Sequence, residues 1–164
     1  MKTDDNLKAA FAGESQANRK YTAFSIKAEQ EGFSQVAKLF KAAADAETVH
    51  ALNHLRTLKE VGSTIENLKV AKDGETHEFK EMYPDFITNA EEENRADAKL
   101  TFDYANKVEE VHAKLYQEAI EAVEFGKDLP DSDLFVCQTC GYTAKEAPDV
   151  CPVCSSPKER FKKI

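Results

Sequence analysis

The feature that most constrains this chain is a repeat of acidic residues inside helical stripes. Gly13-Glu14-Ser15 returns as Gly74-Glu75-Thr76, 61 residues later. Glu47-Thr48-Val49-His50 returns as Glu109-Glu110-Val111-His112, 62 residues later. Around these motifs small and apolar residues recur at helical spacing. One inner face reads Ala10, Glu14, Ala17, Tyr21, Phe24, Ala28, and a second reads Val36, Phe40, Ala43, Glu47, His50, His54. A third reads Leu68, Ala71, Glu75, Glu78, Met82, and a fourth reads Ala98, Phe102, Ala105, Glu109, His112, Tyr116. Each half of the chain is therefore a helix carrying Glu, followed by a helix carrying Glu-x-x-His. Two equivalent helical hairpins follow from this.

Each stripe is apolar except at one level, and that level is acidic in all four helices. An unpaired buried carboxylate is costly, and five of them (Glu14, Glu47, Glu75, Glu78, Glu109) require cations. Two divalent metals supply the charge. Glu-x-x-His sets both side chains on one face, a turn apart, so both can reach a metal. One Glu from each of two helices, with Glu-x-x-His from each of the other two, is the pattern of di-iron carboxylate bundles. A single Glu-x-x-His in a charged helix would most simply be a solvated face; two copies at matched positions favour a metal site. His54 and His77 lie near the cluster and read as structural or solvated. Tyr21 and Tyr83 follow Glu14 and Glu75 by seven and eight residues. Most such tyrosines are core, but a hydroxyl beside ligand carboxylates is a natural hydrogen-bond donor to them.

Breaks fall at Gly32, at Gly62-Ser63 and in the polar run 91–94. Ser63-Thr64-Ile65-Glu66 is a capping box that starts the third helix, Pro84 is expected to kink that helix, and Gly126 suits a helix C-cap. The helical domain is thus 1–126. After the polar linker 127–133 come four cysteines and three prolines with no helical period, a second domain over 134–164. A unit that short needs a metal or disulfides to fold. Cys137-x-x-Cys140 and Cys151-x-x-Cys154 are two knuckles suited to one tetrahedral four-sulfur site, which geometry alone leaves open to zinc or iron. A structural zinc ribbon is the plainer reading; a di-iron neighbour favours iron, because a one-electron centre could feed it.

With 32% charged residues and a formal net charge of -8, the chain should repel nucleic-acid phosphates. No apolar run reaches the ~20 residues of a membrane span, and the acidic N-terminus is unlike a signal peptide. A cytoplasmic location is expected, where clustered cysteines are metal ligands more often than disulfides.

Gly13-Glu14-Ser15-Gln16-Ala17, Glu47-x-x-His50, Gly74-Glu75-Thr76-His77-Glu78, Glu81-Met82-Tyr83-Pro84, Glu109-x-x-His112 and both cysteine knuckles closely resemble the rubrerythrin family. The resemblance spans essentially the whole chain. It implies an all-α ferritin-like four-helix bundle with a small C-terminal rubredoxin-like metal-binding domain. It also implies a non-haem peroxidase that reduces hydrogen peroxide to water, with two irons in the bundle and one at Cys137, Cys140, Cys151 and Cys154. By motif, Glu14, Glu47, Glu75, Glu78, Glu109 and His112 are ligands, His50 and Glu78 exchange on one iron, and Tyr21 and Tyr83 support the carboxylates. No glycine-rich dinucleotide fingerprint is present, so NAD(P)H would act through a separate reductase or rubredoxin. Rival functions are a ferroxidase that handles iron and a helical adaptor with a structural zinc ribbon. A ferroxidase has no use for incoming electrons.

The connection between the second and third helices is shorter than is usual in that family. With the second helix reaching Val61 and the third capped at Ser63, no residues remain to return the chain along a bundle. Either the four helices run up-down-up-down, or the third continues into a second subunit. The ligand set favours the second solution, a homodimer swapped between helices 2 and 3.

Overall fold

The structure, a computed structural model, describes all 164 residues. Its elements are α1 (Lys2–Gln30), α2 (Ser34–Thr57), α3 (Thr64–His77), a π-helical turn (Glu78–Met82), α4 (Tyr83–Glu92), α5 (Ala96–Glu124) and the strands β1 (Phe135–Cys137), β2 (Thr143–Ala144) and β3 (Phe161–Lys163). They form two compact units, Met1–Gly62 and Ser63–Ile164. No helix is long and apolar enough to cross a membrane.

In the first unit α1 and α2 make a hairpin. Ala37, Ala44 and Ala51 are buried at seven-residue intervals along α2. Side chains this small let two helices approach closely. Between them the buried Asn18 amide donates to Ala44 O at 2.6 Å and to Thr48 Oγ1 at 2.7 Å. By contrast Phe24, Val36, Leu39, Val49 and Leu52 are exposed.

In the second unit α3 and α4 pack along α5. The buried Ala90 and Ala113 stand 62 residues after Ala28 and Ala51, which are buried in the first hairpin. An aromatic trio repeats with the same offset. Rings of Tyr21, Phe24 and Phe40 have centroids 5.5–6.3 Å apart, and those of Tyr83, Phe86 and Phe102 lie 5.6–6.2 Å apart. The internal repeat is thus a repeat of packing as well as of motifs.

Four of the helix ends use one device, a residue in the left-handed region with paired bonds back to the last turn. Gly32 (φ 83), Lys59 (φ 59), Asn94 (φ 55) and Gly126 (φ 68) occupy it. At the first, Gly32 N–H donates to Glu29 O and Phe33 N–H to Ala28 O. At the second, Lys59 N–H donates to Arg56 O and Glu60 N–H to Leu55 O. The second helix therefore stops at Thr57, short of the Val61 expected from sequence, because Lys59 takes a conformation usually reserved for glycine. The Ser63 capping box is present, with Glu66 Oε2 accepting from Ser63 N–H at 2.7 Å. Pro84 falls in the first turn of α4, directly after the π turn, where its missing N–H is tolerated.

The ribbon has strand order β2-β1-β3, all antiparallel. Its knuckles close alike: Gly141 N–H donates to Cys137 O at 2.9 Å and Ser155 N–H to Cys151 O at 3.0 Å, with both donors at positive φ.

Candidate metal centres

The repeat delivers two matching ligand clusters, one in each unit. Glu14, Glu47 and His50 have donor atoms within 4.8 Å of one another, as do Glu75, Glu109 and His112. In the first, His50 Nδ1 lies 2.9 Å from Glu47 Oε2; in the second, His112 Nδ1 lies 2.8 Å from Glu109 Oε2 and 3.7 Å from Glu75 Oε1. The His50 side chain is 55% exposed and that of His112 28%.

In the second cluster the carboxylates bear on one another's protons. Burial, then the neighbouring Glu109, pushes Glu75 up to about 7. Burial and the Glu109 charge raise Glu78 as well. His112 is raised, chiefly by its hydrogen bond to Glu109 and against the effect of burial. A site that retains protons on carboxylates and tightens them on imidazole is short of positive charge, and divalent metals fit that deficit.

Glu78 stands where the π turn begins, facing Glu109 and His112 electrostatically. The turn explains the offset change in the repeat. Tyr21 follows Glu14 by seven residues and Tyr83 follows Glu75 by eight. The extra residue is accommodated as a π bulge, a feature frequent at functional sites. That difference in spacing was the available signal for it. Burial and the charges of Glu109, Glu78 and Glu75 raise the Tyr83 phenol. Tyr21 packs in its aromatic trio. His77 pairs with Glu81 at 3.2 Å on an exposed surface, as expected of a solvated residue. His54 is half-buried one turn beyond His50.

Two residues stand at this cluster that no motif singled out, one of them on the inner stripe of the fourth helix. Tyr116 is raised by burial and by Glu75 and Glu109; it follows Glu109 by the seven residues that separate Tyr21 from Glu14. Thr143, on β2, has its Oγ1 3.1 Å from His112 Nε2. No spacing in the sequence joins an α5 histidine to a ribbon threonine.

The four cysteines are clustered and unbridged, with all four sulfurs within 4.8 Å. Cys137 Sγ lies 3.6 Å from Cys154 Sγ, and Cys140 Sγ lies 3.6 Å from Cys151 Sγ. An ion with metal–sulfur bonds of about 2.3 Å needs tetrahedral sulfurs about 3.8 Å apart, so the cradle fits one. Burial pushes the Cys140 and Cys151 thiols up. At Cys154 burial is outweighed by hydrogen bonds from Ser156, and the thiol falls to about 6.

Residues 5–120 match the rubrerythrin family, and residues 135–162 match the rubredoxin-like domain of rubrerythrin. The chain belongs to the rubrerythrin family. Its fold is accordingly a ferritin-like helical domain followed by a rubredoxin-like one, and its cofactors are iron, as a carboxylate-bound pair and as a single four-cysteine iron. The chain is 37% identical to rubrerythrin-2 of Clostridium acetobutylicum, covering 97% of this chain and 95% of that one. It is 38% identical to nigerythrin of Nitratidesulfovibrio vulgaris, covering 97% and 85%. A solved structure of nigerythrin in its fully reduced, all-ferrous state has TM-score 0.59 and 36% identity, covering 99% of this chain and 86% of that one. As a rubrerythrin, the chain is an oxidoreductase.

Proposed function

We propose that this rubrerythrin reduces hydrogen peroxide to two waters, consuming two electrons and two protons, with electrons entering through the four-cysteine iron. One observation carries the reading. The knuckle residues Gly141 and Thr143 lie directly on α5, against Val108 and the ligand histidine His112. An electron-transfer domain seated on the carboxylate cluster suits an enzyme that must be re-reduced; a ferroxidase needs no such inlet.

The ligands would be Glu14, Glu47, His50, Glu75, Glu78, Glu109 and His112 in the helical domain (1–126), and Cys137, Cys140, Cys151 and Cys154 in the ribbon (134–164). When bound, the iron pair supplies two electrons for cleavage of the O–O bond. Tyr21 and Tyr83 orient the carboxylates. Glu78, with its carboxyl held above the ordinary range by burial and Glu109, can hold a proton for a departing oxygen. Because ferric ions are harder acids than ferrous ones, Glu78 is the ligand in the oxidised form and His50 in the reduced form; identical ligands in structures of both states would remove that assignment. The electron donor is a rubredoxin or an NAD(P)H-dependent reductase, since the chain has no dinucleotide fingerprint.

The assembly is a homodimer swapped between α2 and α3. Parallel α2 and α3 in one bundle would require the chain to travel back from Thr57 to Thr64. Seven residues of α2 beyond His50 and eleven of α3 before Glu75 set that return at about 27 Å along the axis, before the sideways step between helices. The linker 58–63 spans at most about 25 Å fully extended, and Lys59 is folded back. Each bundle would then combine Glu14, Glu47 and His50 of one chain with Glu75, Glu78, Glu109 and His112 of the other.

Given a reductase and rubredoxin, the protein should consume peroxide in steady state. Cys140→Ser with Cys154→Ser should abolish the red four-sulfur colour and slow turnover. The same change should leave a single oxidation of reduced protein by peroxide intact. Equal turnover with and without the cysteine iron would refute its role as the inlet.

A further inference from the structure

The two ligand clusters of Ser63–Ile164 are joined by a hydrogen-bonded bridge. His112 turns Nδ1 toward Glu109 Oε2 and Glu75 Oε1, and presents Nε2 to Thr143 Oγ1 at 3.1 Å. Thr143 Oγ1 donates its single proton to Gly141 O at 3.0 Å. The hydroxyl therefore accepts from His112 Nε2–H, so when a metal takes the place of the proton that Nδ1 shares with Glu109 Oε2, Nε2 keeps its hydrogen and Nδ1 offers the lone pair. That is the tautomer a metal ligand at Nδ1 requires. Other contacts seat the ribbon on α5: Gly141 lies against Val108, and Lys145 pairs with Glu118 at 2.8 Å. The Thr143 hydroxyl is thus free to serve the histidine.

We propose that Thr143 is a positioning residue that fixes His112 with Nδ1 toward the iron pair and couples that imidazole to the Cys140 knuckle. The bridge runs from the Cys140–Gly141 backbone through Gly141 O and Thr143 Oγ1 to His112 Nε2. For the direction of electron flow the inference rests on the peroxidase reading. One electron leaves the ferrous four-cysteine iron, which becomes ferric, and reduces one ferric ion of the pair to ferrous. No bond forms or breaks. Two such transfers restore the pair, and an external one-electron donor of rubredoxin type re-reduces the cysteine iron each time.

Thr143→Val preserves shape and strand while deleting both hydrogen bonds; Thr143→Ser keeps the hydroxyl. The first test challenges ferrous holoprotein with an iron chelator. The Val variant should release its bundle iron about ten-fold more readily than wild type, and the Ser variant within about two-fold of it. The second test mixes fully reduced holoprotein with hydrogen peroxide and follows the absorbance. Oxidation of the pair comes first, then the rise of red colour as the cysteine iron gives up its electron. In the Val variant the second phase should be slowed about ten-fold relative to the first, with Ser restoring the ratio. The inference is overturned if Val matches wild type in either measurement, or if Ser is as impaired as Val. Absence of the first phase in wild type would instead sink the peroxidase reading, and the chelator result would still decide the role of Thr143.

Discussion

Two residues of the second acidic cluster, Glu75 and His112, hold their protons more tightly than usual. Glu75, at about 7, retains a proton in the native protein where the unfolded chain, near 4.5, has lost it. Its ionisation therefore costs stability as pH rises through that window. His112, raised above 6.5, contributes stability that is present at lower pH and lost as pH rises through its native value. Both effects have the same sign, so the Tm of iron-free protein should fall between about pH 5 and 8. Glu75→Gln should flatten most of that slope. Ferrous iron bound through Glu75 would replace its proton, so iron uptake at pH 6 should release protons to an indicator dye, and release no smaller at pH 8 would contradict this. The clustering of these glutamates, histidines and cysteines was legible because each type is expensive to bring together without metal. Tyr116 and Thr143 were not, since a tyrosine on an apolar stripe and a threonine in a ribbon each have an ordinary reason to be there.

At the scale of the element, Gly32, Ser63 and Gly126 announced their helix boundaries, and Lys59 did not. A lysine at positive φ leaves no mark in sequence, so the end of α2 was displaced toward the glycine at 62. The same residue offers a test. Lys59→Gly should stabilise the protein by about 0.5–1 kcal/mol by relieving the left-handed strain, read as a rise in Tm with the helical circular-dichroism signal unchanged. The π turn offers another. Deleting exposed Lys80 restores the seven-residue spacing of the first hairpin. The helix should then run on as regular α, and Glu78 should lose its electrostatic contact with Glu109. The deletion protein should stay folded by circular dichroism yet hold less bundle iron. Full iron retention would show that Glu78 does not depend on the bulge.

The whole chain carries more apolar surface than its own hairpins cover. Phe24, Leu39 and Leu52 in the first unit and Phe86 and Leu100 in the second are exposed, the kind of surface that marks an interface. The proposed swapped dimer would cover it and can be tested by complementation. Glu47→Ala and Glu109→Ala chains, each inactive, are unfolded together and refolded. In a swapped heterodimer both lesions fall in one bundle and the other is intact, so about half the activity of that species should return. In an unswapped dimer every bundle keeps a lesion, and no recovery would defeat the swap. The division of the helical domain into two like hairpins was readable from the motif spacing. The packing that accompanies it, from aromatic trios to buried alanines, appeared only in three dimensions. Two hairpins whose motifs, aromatic trios and buried alanines recur at one offset, apart from one extra position before Tyr83, are what a duplicated gene leaves behind. Two copies of such a hairpin would supply a symmetric pair of Glu and Glu-x-x-His sets. The equality is broken at one position: where the first hairpin has Ala17 three residues after Glu14, the second has Glu78 three residues after Glu75, at the start of the π turn, so one half offers a carboxylate that the other cannot match.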